Sequence, residues 1–196
     1  MTAVQTYRVR LAGAALLAAV GLVAAVAVAL PLSLPTDHAG PVPLAAVSEA
    51  RALQAASATP PRLEESAAWS RRTLAVRPGD ATAWARLAWV AAEQGNNADM
   101  VEALDRSFAV APFGPEITGW RLRFIYERWS LMTPDLRRQA LAELAVTVRT
   151  RPRVARAALA EIADPAGRLA FLMVQAQVRL EEQRKREALQ ASSPVA

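Results

Sequence analysis

Leu11 to Leu30 is an unbroken run of twenty residues drawn only from Ala, Leu, Val and Gly, without a charge. In hydrocarbon a backbone has no water to bond to, so such a segment is stable there only as a helix that satisfies its own N–H and C=O groups. At 1.5 Å per residue the helix covers about 30 Å, the thickness of a bilayer core. Arg8 and Arg10 precede the run. After it come Asp37 and His38, with no Arg or Lys until Arg51. Cytoplasmic flanks are the ones enriched in Arg and Lys, so the N-terminus is predicted inside and the rest of the chain outside. The expected layout is a cytoplasmic segment over 1–10 and a single transmembrane signal-anchor helix over 11–34 in a bacterial inner membrane. A cleaved signal peptide is the alternative, because Ala25-Val26-Ala27 and Ala27-Val28-Ala29 both have signal-peptidase spacing. Either way the remainder is periplasmic. Gly21, Ala25 and Ala29 recur every fourth residue and are candidates for close contact with another membrane helix.

Four prolines fall in residues 31–43, and 35–43 reads as an extended spacer. From 44 to 190 the pattern is helical with short breaks. A first helix from Leu44 closes at Thr59-Pro60-Pro61, and a second covers 62–76. Asp80 reads as the N-cap of a third that runs to Gln94. Gly95-Asn96-Asn97 is a turn, followed by a fourth helix over 98–110. A fifth covers 116–131, and Thr133-Pro134 opens a sixth as N-cap and N1. Two more are separated by Asp164-Pro165, the last reaching about 189. Residues 191–196 read as a disordered tail.

The chain matches itself at one spacing. Leu74-Ala75-Val76-Arg77-Pro78 recurs as Phe108-Ala109-Val110-Ala111-Pro112, an offset of 34 residues, and Val148-Arg149-Thr150-Arg151-Pro152 follows after 40. A 34-residue period is that of a helix-turn-helix repeat. Residues 81–112 resemble one tetratricopeptide repeat. Trp84, Leu87 and Ala88 match the large–large–small triplet of its first helix. Gly95 falls in its turn, Leu104 matches the large position of its second helix, and Pro112 matches its closing proline. Met100 and Ser107 stand where alanines are usual, and Ala91 replaces an aromatic. Residues 62–78 resemble the second half of a preceding repeat and 115–152 a divergent third. The resemblance implies an all-α, α-solenoid fold whose stacked helix pairs bind protein partners.

The net charge is +5, and of 23 basic residues only Lys185 is lysine. Nine arginines against three carboxylates between Arg121 and Arg156 make that stretch +6. Such a stretch reads as a solvated helical face or as a surface for an acidic partner or anionic headgroups. Arg121, Arg123, Arg128, Arg137 and Arg138 are its candidate binding residues. Trp89 and Trp129 join them because they lie off the main apolar stripes and tryptophan is frequent at interface hot spots. Leu169, Leu172, Met173, Ala176 and Leu180 form an apolar stripe on the last helix, able to cap the repeats or to dock on a partner.

Chemistry is sparse. There is no cysteine and only one histidine, His38, in the spacer. Phosphate loops, dinucleotide turns, nucleophile elbows and metal-ligand spacings are absent from the sequence. Glu64-Glu65 and Glu181-Glu182 are sequence neighbours, so each pair diverges by about 100° on a helix and forms no acid–base couple. The sequence therefore predicts no enzyme, no cofactor, no metal, no small-molecule substrate and no nucleic-acid partner. It predicts a membrane-anchored scaffold or adaptor in a cell-envelope complex serving secretion, polysaccharide or respiratory assembly. The alternatives are a chaperone-like module for exported polypeptides, which a likeness to the repeat domains of cytochrome c maturation proteins implies, and an accessory structural subunit of an integral membrane complex.

Overall fold

In a computed structural model the described residues are Val23 and 45–192. The segment Leu11–Leu30, with Gly21, Ala25 and Ala29, lies outside them save for Val23, as do the spacer and the last four residues. Among the described residues the chain is all helical, with no strand. None of these helices is long and apolar enough to cross a membrane.

The chain divides into two compact units, Met1–Pro78 and Gly79–Ala196. In the first, α1 (Ala45–Ala56) and α2 (Leu63–Val76) form a hairpin. Alanines Ala52, Ala55 and Ala67 are buried between them, so the backbones approach closely. The Ser66 hydroxyl donates to the Ala52 carbonyl at 3.0 Å. Trp69 is buried, and the Arg72 guanidinium lies 4.4 Å from its ring centroid.

The second unit holds α3 (Ala81–Glu93), α4 (Asn97–Val110), α5 (Thr118–Glu127), α6 (Pro134–Thr150), α7 (Pro152–Ala160) and α8 (Pro165–Ser192). The α3–α4 hairpin forms as its residues dictate. Asp80 accepts from the Thr82 and Ala83 amides, capping α3. Gly95 takes φ +74°, a backbone state that costs other L-residues energy. Asn96 caps α4 through the Asp99 amide. Ala88 is fully buried, while Trp84 and Leu87 are partly buried against the same core.

The fifth predicted helix ends four residues early. Arg128 leaves helical geometry at φ −120°, ψ 32°, and Trp129–Leu131 form a 3₁₀ turn. The break turns Trp129 back onto Tyr126, ring centroids 4.9 Å apart and stacked. Arg137 donates to the Trp129 and Ser130 carbonyls and holds the turn. Thr133 then caps α6, with Pro134 in its first turn.

The three helices α5, α6 and α8 share one core. Phe171 of α8 is buried edge-on against Tyr126 at 5.0 Å. Gly167 of α8 lies so close to α5 that a Cβ there would stand 1.8 Å from the Tyr126 carbonyl oxygen. The buried face of α8 is Gly167, Phe171, Gln175 and Val178. The stripe of Leu169, Leu172, Met173, Ala176 and Leu180 points the other way and is exposed. It therefore caps none of the described helices of this unit.

Candidate interaction site

The arginine-rich stretch is not one basic surface. Arg121, expected at the surface as a binding residue, has no exposure at all. Its Nη2 donates to Glu143 Oε1 at 2.6 Å, its Nη1 to the Ser107 carbonyl at 3.2 Å, and its guanidinium lies 4.1 Å from the Phe108 ring centroid. The residue ties the end of α4 to α5 and α6 and is unavailable to a partner. The sequence held the signal: on α5, Thr118, Arg121, Leu122 and Ile125 fall at three- and four-residue spacing, and so do Leu136, Ala140, Glu143 and Thr147 on α6. Each charged residue thus sits on the apolar face of its helix.

Around Glu143 the partners are unequal. Oε1 accepts from Arg121 and from the Thr118 hydroxyl at 2.7 Å, while neither Oε2 nor Arg121 Nε has a partner among the described residues. Arg151 closes over the cluster, donating to Thr118 Oγ1 at 3.1 Å. Burial pushes the Glu143 carboxyl above its ordinary value of 4.5, against the pull of Arg121, Thr118 and Arg151. Burial, and to a lesser degree the nearby Glu143, also raise Tyr126 far above an ordinary phenol. Both groups are structural in position, sealed from solvent.

The other candidates remain at the surface but are mostly engaged within the chain. Arg123 pairs with Glu161. Arg128 lies 4.3 Å from the Phe124 ring centroid, with Glu93 at 3.8 Å. Arg138 pairs with Asp135 at 2.7 Å, and Arg137 holds the 3₁₀ turn. Such exposed pairs contribute little to stability and blunt the local field. Trp89 is half-buried against the core. Trp129 is also half-buried but opens onto a groove.

That groove, about 870 Å³, runs between α6 and α8 and is lined by Trp129, Leu141 and Ala145 on one side and Met173, Val174 and Leu180 on the other. Arg149 and Arg184 lie on its rim. Arg149 pairs with Glu181 and approaches Glu182 at 3.6 Å. Gln177 and then Arg149 hold the Glu181 carboxyl below its ordinary range. On the other side of α8 a second depression, about 680 Å³, is lined by Arg156, Arg179, Glu182 and Arg186 among others. Among the described residues, no group of His, Asp and Glu is placed to hold a metal ion.

Fold and surface together define an all-α protein with an apolar groove set among arginines. No protein-family model, curated protein or solved structure matches the chain.

Proposed function

We propose that the chain is a tetratricopeptide-like adaptor, anchored in a bacterial inner membrane by Leu11–Leu30, whose helical part binds a protein partner in a cell-envelope complex. The N-terminus is cytoplasmic and the helices periplasmic in this reading. The observation that carries it is the groove between α6 and α8, an open apolar channel beside a helix whose outward residues are left uncovered by the described residues. Exposed apolar grooves are recurrent docking sites for helical segments of other proteins. The α3–α4 hairpin gives further support, since Ala88 and Leu104, two positions that carry the tetratricopeptide resemblance, are both fully buried in one core.

Crosslinking of intact cells that carry a tagged chain, followed by gentle solubilisation and mass spectrometry, tests the proposal. A defined set of envelope proteins at fixed ratio is the expected result. Absence of any reproducible partner overturns it. Met173 on the groove wall favours one second reading, a chaperone-like module, because methionine adapts to many apolar shapes. That reading predicts instead a broad scatter of exported polypeptides lost on mild washing. An unrelated membrane anchor in place of Leu11–Leu30 should leave the partner set intact. Loss of assembly on that exchange would favour the accessory-subunit reading.

A further inference from the structure

The outward side of α8 has two parts, an apolar ridge and two arginine flanks. Leu169, Leu172, Met173 and Leu180 are 61%, 44%, 64% and 54% exposed. With Ala176 they recur at intervals of three and four residues, so they form one ridge opposite the buried Phe171 and Val178. On a helical wheel Arg184 stands on one flank of the ridge and Arg179 and Arg186 on the other. These three arginines have no carboxylate partner among the described residues. The Glu181 carboxylate is turned to Arg149, and that of Glu182 lies between Arg149 and Lys185. Glu187 lies in line with the ridge, about two turns beyond Leu180, and accepts from Gln183.

This asymmetry excludes one occupant. If a second copy of α8 packed on the ridge, parallel pairing would set Arg179 against Arg184 of the copy. Antiparallel pairing would set like flank against like flank, again arginine on arginine. Like charges at the positions flanking a helix seam oppose association. The flanks instead complement glutamate or aspartate. A lipid surface fits less well, because the ridge borders a concave groove walled by Trp129 and Leu141, a shape that receives a cylinder rather than a plane.

We infer that the ridge and groove of α8 dock an amphipathic helix of a different protein, one with leucine-like residues along its seam and carboxylates on both flanks. This deepens the adaptor reading and rests on it.

The absence of cysteine allows a single reporter. The full-length chain carrying Gln177→Cys, labelled with an environment-sensitive fluorophore in phosphatidylcholine nanodiscs, is titrated with two synthetic three-turn-or-longer helices. They share a leucine seam and differ only in having Glu or Lys on the flanks. The Glu peptide should bind saturably, at least tenfold tighter than the Lys peptide, and weaken as salt rises. In the triple variant Arg179→Glu, Arg184→Glu, Arg186→Glu the preference should reverse. That reversal also shows the variant to be folded. Equal affinities, or no saturable binding of either peptide, overturn the inference. So does a signal produced by phosphatidylglycerol in the disc without peptide, or an Ala176→Cys disulfide-linked dimer that Leu180→Glu abolishes. If cells yield a fixed partner set that the triple variant retains, the surface is wrong and the adaptor reading stands. If cells yield no partner, the adaptor reading itself falls.

Discussion

Arg121 and Glu143 illustrate how much depends on single side chains. A buried ion pair is costly to desolvate, and its two charges tolerate each other's presence better than each other's loss. Arg121→Ala is expected to destabilise the chain by about 3–5 kcal/mol, because it strands a buried carboxylate and frees the Ser107 carbonyl. The double variant Arg121→Met, Glu143→Leu should recover most of that loss in a urea titration. The pair also sets a pH dependence. The Glu143 carboxyl is raised in the folded state by burial, so the folded chain holds its proton longer than the unfolded one. Its contribution to stability is therefore complete below the ordinary value near 4.5 and is lost as pH rises through the folded value. Glu143→Gln should lower the whole stability curve yet remove that slope, which chemical denaturation at a series of pH values from 4 to 8 would show. Leu136, Ala140, Glu143 and Thr147 share a helix face legible in the sequence. That Glu143 meets Arg121 there was not, because the two lie 22 residues apart and only packing chooses the neighbour.

At the scale of elements, glycine separates local from tertiary causes. Gly167 and Gly119 both lie in helices, where glycine is ordinarily a weakness. A methyl group at Gly167 would collide with the Tyr126 carbonyl at 1.8 Å, whereas at Gly119 it would meet Val154 at 3.5 Å, an ordinary contact. Gly167→Ala should therefore cost at least about 1–3 kcal/mol, as overpacking does, and disturb the near-ultraviolet signal of the stacked Tyr126 and Trp129. Gly119→Ala should be neutral or stabilising by roughly 0.5 kcal/mol through the unfolded chain. Thermal melts check both: the midpoint should fall for Gly167→Ala and hold or rise slightly for Gly119→Ala. Helix positions were largely legible because caps and breaks are local: Asp80, Asn96 and Thr133 each accept amides within three residues. The early end of α5 was not, since Trp129 leaves the helix to stack on Tyr126 and Arg137 holds it there.

At the scale of the whole molecule, the prediction concerns placement. If Leu11–Leu30 anchors the chain with its N-terminus inside, a cysteine introduced by Gln190→Cys should react in intact spheroplasts with a maleimide that does not cross membranes. Thr2→Cys should react only after lysis. Reversed accessibility would invert the topology, and with it the periplasmic adaptor. Helical content follows from the sequence by itself, because proline and capping chemistry act over a turn of neighbours; the proposed placement rests on hydropathy and charge bias alone. Which faces of those helices meet is a matter of the tertiary structure. The packing of Phe171 and Val178 inward left Leu169, Met173 and Leu180 facing out, and burial of Arg121 took one arginine from the surface. Helical period groups residues into faces, but only complementary packing of Gly167, Tyr126 and Phe171 decides which face is buried.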